Sequence, residues 1–338
     1  MIDKNLPKAN NIYMAEKHAL PALGSLFSES WITFKKSVLN LFIVNLIGIA
    51  IYIALFFAAF IISLPFGVFS IFNAVTTKTL SIATLSSLSI IGIIFLISCI
   101  VALLVGYALQ AASILIVGHS KTKQDVGSVI KKGFSHVLGL FLAGVLTGFI
   151  ITGGYFLFII PGIFFTVIFS FTFYEIVLNG KGVLSAMRRS SKIVLSNFWG
   201  ILGRIVLLYV VLFGITLIPQ LFLITGTNQG LSSTFQLITF VINVCVGWYA
   251  ICYLITLYKY ASLGYEQDKG NKLLWPVLVG IVGWIIGIIL LICIAFVSYL
   301  LITSSLEKTK QKKTYQIYEI ESVFPTSASL KMSTPSAR

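Results

Sequence analysis

The sequence predicts an all-α fold: a polytopic transmembrane helix bundle of about seven spans, a six-span core plus one, with three amphipathic surface helices on the cytoplasmic side. Three observations carry this prediction. Seven apolar segments approach or exceed the roughly 20 residues a helix needs to cross a bilayer. The 338-residue chain is 58% hydrophobic and 10% charged, where a soluble domain carries roughly 25% charged residues; its mean hydropathy is +1.00. Three segments ahead of spans repeat apolar residues at helical steps with basic residues off the stripe. A chain this apolar has too few polar groups to cover its own surface, so lipid is its expected solvent. The charge sits in short connectors. That pattern predicts an N-terminal cytoplasmic segment at 1–38, one transmembrane domain at 39–303, and a flexible tail at 304–338.

The N-terminal segment has neither a compact apolar stretch nor a small-residue cleavage site, so the first span is expected to be an uncleaved anchor. In 22–38, Leu23, Leu26, Phe27, Trp31, Phe34 and Val38 form a stripe, with Lys35 and Lys36 off it. The spans then follow at 39–63, 88–118, 139–160, 162–178, 197–223, 233–262 and 273–303. Before the third span, Val126, Val129, Ile130, Phe134 and Val137 form a second stripe, with Asp125 as the expected N-cap and Lys131 and Lys132 outward. Before the fifth, Val183, Met187, Val194 and Phe198 form a third, with Arg188, Arg189 and Lys192 expected opposite. Such helices lie in the membrane interface with their basic face toward headgroups. The core therefore reads as three units of surface helix plus hairpin, with the seventh span appended.

The third and fourth spans could form one kinked helix. Forty residues would reach about 60 Å, twice the roughly 30 Å hydrocarbon core. A hairpin turning at Pro161 and Gly162 is the better solution, since proline can open the returning helix and glycine tolerates a turn.

Lys and Arg set the expected orientation. With the N-terminus in the cytoplasm, the inside connectors hold Lys35, Lys36, Lys121, Lys123, Lys131, Lys132, Lys181, Arg188, Arg189, Lys192, Lys259, Lys269 and Lys272. The outside connectors before the tail hold only Lys78. Seven spans put the tail outside, against the Lys308, Lys310, Lys312 and Lys313 that open it. Within the tail, 314–323 could pair as a strand. The net charge of +14 fits this lipid-facing placement and anionic headgroups. No exposed basic domain with aromatic stacking positions is visible, so nucleic acid is not an expected partner.

The stretch from Pro161 to Arg204 carries a resemblance. PGIFF, an aromatic run ending FTFYEIVL, and GKGVLSAMRRSSKIVLSNFWGILG resemble a group of bacterial integral membrane proteins. That group includes the membrane domain of glycerophosphoryl diester phosphodiesterases and related inner-membrane proteins of unknown function. The shared features are a Pro-Gly hairpin, an acid near the end of the next span and an "AL..S" surface helix. Pro161, Gly162, Glu175, Ala186 and Ser190 or Ser191 hold those positions. The resemblance implies a multi-pass membrane module of the cytoplasmic membrane. It does not carry phosphodiesterase activity, because the expected tail has no room for that catalytic domain.

Charged residues in spans are costly and therefore informative. Glu175, near the inner end of the fourth span, and Arg204, inside the fifth, flank one surface helix. Glu175 could pair with Arg204, Arg188 or Arg189. Such a group could be a headgroup or ion site, or a structural pair pinning the surface helix to the hairpin; the second is preferred. His18, His119 and His136 have no metal-ligand spacing, and no catalytic, cofactor-binding or metal motif is expected. Cys99, Cys245, Cys252 and Cys293 read as small packed hydrophobes. Asn40, Asn45, Gln110 and Asn243 could line a transport path or bond between helices. Gly144 with Gly148, and Gly283 with Gly287, form GxxxG pairs that suit close helix approach. The leading expectation is a non-enzymatic membrane protein with a membrane-organising or lipid-associated role. The alternatives are a small-solute or lipid transporter and a lipid-modifying membrane enzyme.

Overall fold

In the computed structural model, the described residues are 20–77, 82–120, 122, 125–225, 229–263 and 274–323. Among them the chain is all-helical, without strands. The helices are α1 (Leu23–Thr77), α2 (Ile82–Gly118), α3 (Val126–Ser135), α4 (Val137–Leu157), α5 (Ile159–Ile168), α6 (Thr172–Asn179), α7 (Val183–Ser196), α8 (Phe198–Thr225), α9 (Gln229–Ser262) and α10 (Leu274–Val323). Among the described residues, seven stretches are long and apolar enough to cross a membrane, one of them formed by α5 and α6 together. They correspond one for one to the seven segments the sequence predicts. Their outward faces carry rows of exposed apolar residues, such as Phe56, Phe57, Phe60 and Ile61 on α1. That surface is compatible with a multi-pass protein whose solvent is lipid.

Helix α1 runs beside α2 and α9, α9 also packs on α8, and α4 packs on α10. The largest fully buried side chains include Phe165, Ile168 and Phe171 around the α5–α6 junction, Met187 and Ile193 on α7, and Tyr253 on α9. Lipid tails are as apolar as leucine, so close packing and hydrogen bonds, rather than escape from water, hold such helices together.

The α4–α10 contact shows that close packing. The carbonyl oxygen of Gly153 occupies the position a Cβ at Gly283 would take, and the Gly280 oxygen occupies the one at Gly153. A Cβ at Gly287 would lie 2.6 Å from the Phe156 ring. Trp284 locks the seam: its Nε1 donates to the Phe149 carbonyl at 3.0 Å, and its ring stacks on Phe149 at 5.4 Å. The Gly283–Gly287 pair is thus part of a helix contact: Gly153 faces Gly283, and Phe156 faces Gly287. Gly144 instead accommodates the Tyr107 hydroxyl, and nothing approaches Gly148.

Several boundaries differ from expectation. The hairpin turns at Phe158, not at Pro161 and Gly162. Phe158 is extended, with φ −168° and ψ 162°, and separates α4 from α5. Pro161 falls in the first turn of α5, where an amide would have no helical acceptor. Gly162 serves packing: the Tyr155 ring fills the space of its missing side chain, and Gly154 lies against its Cα. Farther along the hairpin Ile176 rests on Gly139, so the returning chain is antiparallel to α4.

The stretch 22–38 is not a separate helix but the first part of α1. Its apolar side stays in line with the span because it packs on α9: Phe27 meets Tyr253 at 4.9 Å and Phe34 meets Tyr249 at 6.0 Å. The other two segments are separate helices, α3 and α7, each set off from the next span by one residue, His136 and Asn197. Asp125 caps α3 through its side chain to Ser128 N at 2.9 Å. Helix α10 continues through 304–323, so the strand expected at 314–323 is helical. Its Lys and Glu residues support helix. The remainder of the tail, and His18, lie outside the described residues.

Candidate functional site

The fourth span is broken. Helix α5 ends at Ile168 and α6 begins at Thr172. In a continuous helix Phe171 N–H would bond to Val167 O, and Thr172 N–H to Ile168 O. Here Ser170 N takes Val167 O and Thr172 N takes Phe169 O, at 3.2 and 3.0 Å. Phe171 N–H and Ile168 C=O thus lose their helical partners. Ser190, fully buried on α7, satisfies both: its hydroxyl donates to Ile168 O at 2.7 Å and accepts from Phe171 N at 3.2 Å. Irregular backbone at membrane depth is tolerated where protein covers it. Of the two serines in the resemblance, Ser190 is the one engaged; Ser191 bonds back to Arg188 O in its own helix.

One turn beyond the break lies Glu175, with 0% of its surface exposed. Its Oε1 is 2.9 Å from Arg189 Nε, a charge contact without the alignment of a hydrogen bond. Tyr258 of α9 donates to the same oxygen at 2.9 Å. Asn179 Nδ2 donates to Oε2 at 2.9 Å and to the Tyr258 hydroxyl at 2.6 Å. Both carboxylate oxygens are therefore engaged. Gly180, left-handed at φ 62°, ends α6 and sends its N–H to Glu175 O. This turn brings α7 back across α6.

Arg189 reaches Glu175 because of its place on α7. The buried face is Ala186, Met187, Ser190, Ile193 and Val194. At about 100° per residue, Arg189 lies on the flank of that face, while Arg188 points away and is exposed. The expectation that Arg189 stands opposite the apolar stripe is corrected by this geometry. Lys181 sits close enough to feel Arg189: burial first, then repulsion by that guanidinium, lowers its pKa, while Glu175 acts in the opposite sense.

Arg204 does not join the pair. Its guanidinium donates to Gly200 O at 2.9 Å and to Pro21 O at 2.6 Å. It therefore ties α8 to the chain just ahead of α1. An arginine held by backbone carbonyls needs no carboxylate partner. Tyr258 and Asn179 complete the site beyond the residues the sequence predicts. Asn179 was accessible as an i+4 neighbour of Glu175; Tyr258 carries no local signal.

Of the four span amides that could line a path or bond between helices, two bond within their own helix. Asn45 and Asn243 each donate to the carbonyl four residues back, Leu41 O and Thr239 O. His119 Nδ1 lies 3.2 Å from Leu115 O. No metal-binding group of His, Cys, Asp or Glu occurs among the described residues, and the cysteines there are unpaired thiols. An apolar groove between α1 and α9 is lined by neither Glu175 nor Arg204. No protein-family profile, curated protein or solved structure matches this chain.

Proposed function

We propose that this chain is a non-catalytic multi-pass protein of a bacterial-type cytoplasmic membrane, with a cytoplasmic N-terminus and a lipid-associated, membrane-organising role. The supporting observation is the closed state of its intramembrane charge. Glu175 has no exposed surface, and Arg189, Tyr258 and Asn179 engage its oxygens. A carboxylate so enclosed suits a structural pin that holds α7 onto the broken span. Helices α3 and α7 then act as interfacial helices: Val129 and Met187 are buried, while Lys131, Lys132 and Arg188 are exposed and free to meet headgroups. The resemblance of 161–204 to the membrane domain of glycerophosphoryl diester phosphodiesterases accords with a membrane module of this kind.

The test is lipid selectivity in vesicles. Spin-labelled phosphatidylglycerol should be retained at the protein surface over phosphatidylcholine, and neutralising Lys131, Lys132 and Arg188 to glutamine should reduce the preference. Equal retention of the two lipids by the unaltered chain would overturn the reading. A second reading, a small-solute or lipid transporter, draws on the discontinuous fourth span, since broken helices commonly frame transport sites. Here aromatic side chains and Ser190 fill the break, which favours the structural role. Solute uptake into vesicles that is lost in Glu175→Gln, with folding intact, would favour the transporter.

A further inference from the structure

Helices α1 and α9 part to leave a groove of about 240 Å³. Phe42, Asn45, Leu46 and Ile49 line one wall, and Val244 and Trp248 are among those on the other. The volume is below the roughly 300–1,000 Å³ of enclosed small-molecule sites. The rim residues Phe42, Leu46 and Ile49 are each about half exposed, while Trp248 is buried at the base. Asn45 directs its amide to Leu41 O, so the wall it contributes is largely apolar.

A cationic residue stands on the same face of α1, about two turns before the groove begins at Phe42. Positions 31, 35, 42, 46 and 49 recur at helical steps of four, seven, four and three, so they share one face. Lys35, off the stripe of Phe27 and Phe34 that packs on α9, aligns instead with the groove residues; it is exposed, with its Nζ 5.5 Å above the Trp31 ring. Tyr249 of α9 packs against Trp31 at 6.1 Å. From Lys35 to Phe42 is about 10 Å along the helix, and from Phe42 to Ile49 about 10 Å more. Half a hydrocarbon core is about 15 Å. A lysine that snorkels to the interface therefore stands one headgroup below an apolar channel of acyl-chain depth.

We propose that this groove binds one acyl chain of an anionic phospholipid whose phosphate rests on Lys35 beside Trp31. The inference rests on the lipid-associated reading and makes it local. A second copy of the chain is a poorer occupant. Symmetric pairing about the membrane normal would bring two copies of Lys35 and Lys36 to the same depth, and like charges there repel.

The test is native mass spectrometry of the full chain released from micelles, with phosphatidylglycerol and phosphatidylcholine of identical chains supplied in turn. One tightly held phosphatidylglycerol is expected. Lys35→Gln should weaken it by about fivefold, the effect of one interfacial cation. Leu46→Trp, at a half-exposed rim position, should fill the groove and displace both lipids from the site. Retention of phosphatidylglycerol that neither substitution alters would overturn the groove while leaving the lipid-associated reading in place. Absence of any anionic preference would overturn both. A dimer that Leu46→Trp dissociates, in place of a lipid adduct, would assign the groove to a second copy and overturn the proposal.

Discussion

Replacing Ser190 with alanine removes one hydroxyl and leaves two backbone groups without partners. Phe171 N–H and Ile168 C=O have lost their helical partners at the α5–α6 break, and Ser190 serves both, at 3.2 and 2.7 Å. A buried polar group left unsatisfied costs about 1–3 kcal/mol. Small shifts can recover part of one bond, so the expected loss for Ser190→Ala is about 2–4 kcal/mol. Ser191→Ala is the control, since that hydroxyl bonds only within its own helix turn; it should stay within about 0.5 kcal/mol of the parent. Equilibrium unfolding by dodecyl sulfate in mixed micelles, followed by circular dichroism, reads both. A Ser190→Ala protein no less stable than the Ser191→Ala control would refute the claim that this serine closes the break.

Glu175 and Arg189 should respond unequally to removal. Arg189 keeps 23% of its side chain exposed and can swing toward the interface, whereas Glu175 has no exposed surface; breaking a buried pair costs about 3–5 kcal/mol, with Arg189→Met near the top of that range and Glu175→Gln near the bottom in the same unfolding assay. At the α4–α10 seam, Gly283→Ala must push the helices apart because the Gly153 carbonyl occupies the Cβ position. A loss of about 1–3 kcal/mol is expected, while Gly148→Ala, which meets nothing within 4 Å, should be neutral or slightly stabilising in thermal melts. His136, between α3 and α4, has a lowered pKa through burial and then Lys132. The folded state thus binds fewer protons than the unfolded one, so the His136 contribution is present above its ordinary pKa of about 6.5 and is lost as pH falls below it. The melting temperature should fall on acidification from pH 7 to pH 5, and His136→Gln should lessen that fall.

The spans were legible because each needs a long apolar run, and seven such runs stand apart from the charged connectors. Asp125 was legible as a cap because the signal is local. Phe158 was not: phenylalanine has no turn preference, and the conspicuous Pro161–Gly162 pair sits three residues on, inside α5. The break at 169–171 was equally hidden, because FSF reads as more of the same aromatic run. What allows it is a serine twenty residues later in sequence. The choice of Arg189 over Arg204 depended on tertiary placement, although the pattern of Ala186, Met187, Ser190, Ile193 and Val194 already set Arg189 at the edge of the inward face. Tyr258 belongs to a different span, more than eighty residues from Glu175, and nothing beside it in the chain marks its role. For glycine, spacing marked Gly283 and Gly287, but only packing could tell that Gly153 faces the first, Phe156 the second, and nothing Gly148.

The claim that Glu175 is a structural pin held by Arg189 is tested most directly by two double-mutant cycles in the unfolding assay. One combines Glu175→Gln with Arg189→Met, the other Glu175→Gln with Arg204→Met. The first should show a coupling of about 2 kcal/mol, within the range for residues in one charged network. The second should be additive within about 0.5 kcal/mol, because Arg204 is held by Gly200 and Pro21 carbonyls. Additivity in the first cycle, or coupling that follows Arg204, would contradict the account.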